Sequence, residues 1–158
     1  MKKINRLHIL LLTLAFISIT TFTYAQAIVG SWKKKEDILT KEDGKTVSTL
    51  KMLVKNMPCF ANIIYTFTAD GKMSEQAKDC TIALQKQIAG QLKASRWKMA
   101  GNKLIIDVGD ATSLVKHAEY QIEFMGSNEM RWTFIYAENP GVPNITRARQ
   151  MQTTYTRL

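Results

Sequence analysis

Few side chains in this sequence are placed to make or break a covalent bond. His117 is the only histidine after residue 8, and Asp110 and Ser113 precede it closely. A His–Ser–Asp grouping can be drawn from them, but such a triad is defined by geometry, not by closeness along a chain. The simpler reading of His117 is a surface histidine. The acidic pairs Glu36–Asp37 and Glu119–Glu123 fall on alternating stretches that turn them to solvent. Glu42-Asp43-Gly44, Asp107 and Asp110 carry turn chemistry, and no twelve-residue calcium loop surrounds them. Cys59 and Cys80 are separated by 21 positions, which matches no zinc spacing. The expectation is a protein that is not an enzyme, with no catalytic residue, no metal and no cofactor.

Binding is the chemistry that remains. The aromatic residues expected to face a common interior are Tyr65, Phe67, Trp97, Tyr120 and Phe124, followed by Trp132, Phe134 and Tyr136. Leu104, Ile106, Met130 and Met151 would join them. Ligand pockets are lined mainly by apolar and aromatic groups with a few polar ones; the same residues would also simply fill a small core. Seven methionines follow the initiator, soft fillers suited to an adaptable cavity or an irregular core. In "ENPGVPNITRAR" (138–149), Pro140 and Pro143 stiffen a segment that ends in Arg147 and Arg149. These arginines could hold an anionic head group such as a carboxylate, which arginine pairs with in bidentate fashion, or stand solvated on a rigid loop.

The segments that must position these residues read as strands. Ala118, Tyr120, Ile122 and Phe124 alternate with Glu119, Gln121 and Glu123, and Met130, Trp132, Phe134 and Tyr136 share a face opposite. Alternation with period two marks a strand with one buried side. Three turn signals, "TADGK" (68–72), "MAGNK" (99–103) and "MGSNE" (125–129), supply Gly or Asn where hairpins need positive φ. Eight strands follow, near 30–39, 62–68, 72–77, 95–100, 103–108, 117–125, 129–137 and 149–158. Leu84, Ile88 and Leu92 recur at helical spacing behind a cap at Asp79 or Thr81. Residues 48–56 read either as a short helix, with Leu50, Leu53 and Val54 on one face, or as a strand.

The first 25 residues have the form of a secretory signal. Lys2, Lys3 and Arg6 precede an apolar run, and "TYA" ends in the small residue that cleavage requires. The run Ile9 to Ile19 is too short to span a bilayer comfortably. Residues 1–25 are therefore assigned to the signal and 26–158 to one domain, exported to a periplasmic or external space, with no stable membrane anchor and no lipid-bearing cysteine at the cut. Of 22 basic residues, three leave with the signal, and the remaining 19 exceed the 13 acidic ones by six. The only basic run, Lys33 to Lys35, is interleaved with no aromatic residue, so no nucleic-acid footprint is formed; it reads as solvated lysines guarding a strand edge.

Tight turns alternate with long connections along the chain. In an up-and-down meander all tight turns then fall at one end and all long loops at the other, which describes an all-β, eight-stranded antiparallel barrel with one closed end and one dressed mouth, and one or two short helices in its long loops. Cys59 and Cys80 lie 11 and 10 residues from Asp70, so folding about that turn brings both to the mouth. In an oxidising compartment a disulfide is favoured over two free thiols, and closing that loop stabilises by about 3 kcal/mol. The first and last strands become neighbours at the closed end, where Trp32 can plug the floor and Arg157 can lie across its ring.

Gly30-Ser31-Trp32 resembles the Gly-x-Trp that opens lipocalins, with a late arginine as its companion. With "IVGSW", "CFANIIYTFTADGKM" followed by Cys80, "RWKMAGNKLIID" and "TTYTRL", the stretch 28–158 is similar to the small bacterial lipocalin-like domain proteins. The resemblance implies an exported barrel with a cavity for a small apolar or amphipathic molecule, and a monomer is expected. The helical segment 81–93 departs from a plain connection and could cap the mouth. The alternative is a solid-core barrel that works as an envelope interaction or inhibitor-type protein through its mouth loops.

Overall fold

The computed structural model describes residues 25–91, 94–109 and 115–158. Nearly all of the expected signal, together with Asp110, Ser113 and Leu92, lies outside the described residues. The strands are β1 (Gly30–Lys41), β2 (Thr46–Ser48), β3 (Ile64–Phe67), β4 (Met73–Gln76), β5 (Arg96–Ala100), β6 (Lys103–Asp107), β7 (His117–Phe124), β8 (Glu129–Ile135) and β9 (Ala148–Arg157). Two helices, α1 (Thr49–Asn56) and α2 (Ile82–Gln91), sit in long connections. The stretch 48–56 thus divides: β2 pairs with the end of β1, and the rest is helix. Tyr136, expected to continue β8, instead opens a 3-10 turn (Tyr136–Glu138).

Eight strands form one antiparallel sheet in the order β4-β3-β1-β9-β8-β7-β6-β5, with β2 attached to β1 alone. β1 and β9 are the longest pairing, with Trp32 opposite Arg157. The two ends of the sheet, β4 and β5, meet through one bridge, Lys72 with Arg96. Beside it the Trp97 amide donates to the Gly71 carbonyl at 2.8 Å, and the Trp97 indole N–H donates to the Lys72 carbonyl at 2.9 Å. The barrel is therefore nearly closed. Gly71 belongs to this latch: its φ is +78°, and a Cβ there would come within 3.1 Å of the Trp97 carbonyl oxygen. Only glycine holds that conformation without strain.

β1 lies between β3 and β9, so Lys33, Lys34 and Lys35 do not guard an edge as expected. Lys33 donates to the Asn62 amide oxygen at 2.7 Å, Lys35 pairs with Glu129, and Lys34 turns inward.

The closed end is solid. Ile28, Trp32, Phe67, Leu104 and Met130 are inaccessible or nearly so. Phe67 sets its ring edge-on to Trp97 at 5.8 Å and to Trp132 at 5.5 Å. Each such side chain contributes about 1.5–3 kcal/mol by leaving water. The floor is built around one indole. The Trp32 N–H donates to the Ile28 carbonyl at 2.8 Å, and the Arg157 guanidinium lies over the ring, 4.4 Å from its centroid. Arg157 also donates to the carbonyls of Val29 and Ala27. Gly30 makes room for this, since a Cβ on it would sit 3.2 Å from an Arg157 nitrogen, and its φ is +134°.

At the mouth, Cys59 and Cys80 form a disulfide with Cα atoms 5.1 Å apart. α2 buries Ile88 and part of Leu84 against Ile63, Ala77 and the disulfide. It thereby covers the upper ends of β3 and β4.

Candidate functional site

The chemistry of the interior depends on an irregularity in β1. Between Lys34 and Glu36 the ladder to β9 slips by one residue. An extra residue in one strand reverses which side chains face inward beyond it. Trp32 and Lys34 point inside before the slip, Asp37 and Leu39 after it. Asp37, expected at the surface, is 5% exposed; Glu36 keeps the exposed position. The Lys34 ammonium pairs with Asp37 at 3.1 Å, and the Thr153 hydroxyl donates to the other Asp37 oxygen at 2.8 Å. Lys34 also sits 5.9 Å from the Tyr65 ring centroid.

Above the solid floor, the barrel holds a partly open cavity of about 190 Å³. Its polar corner consists of Lys34, Tyr65, Glu75 and Thr153. Tyr120, Trp132 and Tyr155 supply an aromatic wall. The rings support one another: Trp132 lies 4.5 Å from Tyr155 and 5.3 Å from Tyr120, and Tyr65 meets Tyr155 edge-on at 5.4 Å. Ala118, Ile106 and Met151 complete the apolar side.

Glu75 stands across from Tyr65 in the β3–β4 ladder. Burial pushes its carboxyl up to about 7, against the pull of a hydrogen bond from Tyr65 and the charge of Lys34. Burial likewise raises Tyr120 to about 12 and holds Tyr65 and Tyr155 well above the usual phenol range. The three phenols therefore remain neutral donors near neutral pH, while Glu75 changes charge there.

The aromatic residues expected to line one cavity separate by depth. Tyr65, Tyr120 and Trp132 line it, with Ile106 and Met151. Phe67 and Trp97 pack below it, and Leu104 and Met130 belong to the floor. Phe124 rests against Trp32 with ring centroids 6.5 Å apart. Phe134 is wedged between Tyr120 at 5.3 Å and Tyr136 at 5.0 Å. Tyr136 and Arg149 line a separate outer groove with Pro140 and Pro143. Arg147 is exposed, and its carbonyl accepts from the Glu42 amide at 3.3 Å. Neither arginine lines the interior cavity.

His117 is half exposed and contacts Asp107 at 2.7 Å and Glu119 at 3.4 Å. The hydrogen bond to Asp107 raises its pKa. Glu119 and Glu123 face outward and pair with Lys103 and Arg131. Among the described residues, no group of three His, Cys, Asp or Glu is arranged to hold a metal ion, and no helix is long and apolar enough to cross a membrane.

Lys34, Glu75, Thr153 and Tyr155, which line the cavity, and Asp37, which pairs with Lys34 beside it, are the groups that sequence reasoning missed. Glu75 was within reach, because it shares parity with the buried Met73 on a strand that the sequence does indicate. Thr153 and Tyr155 alternate in the same way on β9.

No family model matches the chain, and no curated protein matches it. Among solved structures it is similar to EF1p2_mFAP2b, solved bound to DFHBI, with 16% identity, 85% of this chain and 96% of that chain covered, and a TM-score of 0.35. A likeness this distant carries no argument about what this cavity holds.

Proposed function

We propose that this is an exported, lipocalin-like barrel that binds a small apolar or amphipathic molecule in its interior and acts as a carrier or receptor for it, not as a catalyst. The observation that supports the reading is the cavity itself. A barrel that only needed a core would fill its upper half with aliphatic side chains, as it fills the lower half. Here a largely buried ion pair and a half-buried carboxyl sit beside an aromatic wall and open space. Polar groups in such a place cost stability unless they are satisfied, and a ligand is one way to satisfy them. The size suits a compact molecule, since an apolar cavity of about 150 Å³ accepts benzene. Export is supported by the form of the first 25 residues and by the disulfide.

The test is native mass spectrometry of the protein purified from its own source, with displacement of a polarity-sensitive fluorescent probe by small-molecule panels. A co-purified small molecule, or probe binding abolished by Ala118→Leu at unchanged thermal stability, is the expected result. An empty protein that takes up no probe would refute the reading and leave the solid-core interaction protein in its place.

A further inference from the structure

We propose that the barrel cavity selects a compact organic cation, a protonated amine on a single ring or a body of similar size, held by the Glu75 carboxylate against the rings of Tyr65, Tyr120, Trp132 and Tyr155. The inference rests on the cavity reading above and specifies the ligand class.

Charge counting carries it. The polar groups around the cavity include one cation, Lys34, and two carboxyls, Asp37 and Glu75. Lys34 is committed to Asp37 at 3.1 Å, and the second Asp37 oxygen is committed to Thr153 at 2.8 Å. Glu75 is left with a neutral phenol, Tyr65, as its partner across the ladder. An ionised Glu75 therefore makes the interior net negative, and the cation that would balance it is absent from the lining. An anionic ligand would meet the opposite situation, because Arg147 and Arg149 lie off the cavity. The aromatic wall fits the same ligand: ring faces attract organic cations, most strongly once water is excluded.

The groups that face or flank Glu75 are Lys34 and Asp37 from β1, Tyr65 from β3, Tyr120 from β7 and Tyr155 from β9, together with the exposed Lys78 and Lys86 in the groove between β4 and α2 that Glu75 also borders. Burial keeps the phenols neutral through the neutral range, where the Glu75 carboxyl exchanges its proton. Because its carboxyl loses its proton at about 7, amine binding expels that proton below neutrality.

The experiment is isothermal titration calorimetry with benzylamine, benzyl alcohol and benzoate as probes. The proteins are the unaltered chain, Glu75→Gln and Ala118→Leu, each verified as folded by near-ultraviolet circular dichroism. Benzylamine is expected to bind more tightly than the alcohol or the acid, with an affinity about tenfold higher at pH 8 than at pH 6 and with proton release at the lower pH. Glu75→Gln is expected to lower amine affinity by roughly tenfold or more and to abolish its pH dependence, while Ala118→Leu abolishes binding. Benzyl alcohol or benzoate binding as tightly as the amine would overturn the cation assignment and leave the cavity reading intact. So would a pH-independent amine affinity in the unaltered chain, a measurement that does not depend on the variants folding. Amine binding that survives in folded Ala118→Leu places the amine outside the cavity and overturns the assignment. Binding of none of the three probes to the unaltered chain would overturn both.

Discussion

Replacing Glu75 by glutamine should change the stability of this barrel in a pH-dependent way. The ordinary glutamate value is 4.5, and burial raises Glu75 to about 7 in the folded chain. Below the lower value both states carry the proton, and the residue contributes no pH dependence. Between the two values the folded chain retains a proton that the unfolded chain has lost, so stability declines as pH rises, and the loss is complete above the folded value. Each pKa unit corresponds to about 1.4 kcal/mol, which places the full penalty of an ionised Glu75 at about 3 kcal/mol. Glutamine keeps the shape and the hydrogen bond with Tyr65 but has no charge to bury. Glu75→Gln should therefore match the parent near pH 4 and exceed it by about 2–3 kcal/mol near pH 9, a rise of about 10 °C in midpoint for a domain of this size. His117, whose raised pKa gives stability below its unfolded value that fades as pH rises, is common to both proteins and cancels in the difference. Thermal unfolding followed by tryptophan fluorescence across that range is a sufficient assay. A midpoint difference that is the same at both ends would refute the assignment of Glu75 as a half-buried, ionisable cavity group.

Other perturbations test other parts of the fold. Arg157→Met should remove the stack on Trp32 and the donors to Val29 and Ala27, costing about 1–3 kcal/mol in chemical denaturation; Trp32→Ala should cost about 3–5 kcal/mol. Cys59→Ser/Cys80→Ser should lose about 3 kcal/mol, visible as a lower denaturant midpoint, and a reductant should have the same effect on the parent and none on the variant. Asp37→Ala leaves Lys34 without its partner and should cost about 3 kcal/mol; Lys34→Met/Asp37→Ala should recover much of that loss, and a double-mutant cycle measures the coupling.

Much of the frame was legible because it depends on local chemistry. Turn residues at 68–72, 99–103 and 125–129 mark the hairpins, and period-two alternation marks the strands between them. The alternation of connection lengths implies where the long loops gather. Side-chain alternation gives the face of a residue but not its height along the barrel axis. Alternation therefore places Phe67, Trp97 and Phe124 together with Tyr65 and Tyr120, although the first three fill the floor. The slip in β1 between Lys34 and Glu36 was not legible at all. Its position depends on pairing with β9, more than a hundred residues away, and it reverses the side on which Asp37 falls. Asp37, the partner of Lys34 beside the cavity, was missed for this reason. Residues 48–56 were ambiguous because β2 is stabilised only by β1, while the remaining turns of helix follow ordinary helical spacing.

The single bridge between Lys72 and Arg96 has a consequence for self-association. A cylinder latched by one rung still presents two unzipped backbone rows, and unzipped rows invite strands from other molecules to polymerise on them. Here β4 and β5 are only four and five residues long, Lys72 and Lys98 project beside them, and α2 lies against β4. Brevity, positive charge and a helical shield are the devices by which strand edges resist such templating, and all three stand at the incompletely sewn wall of this chain.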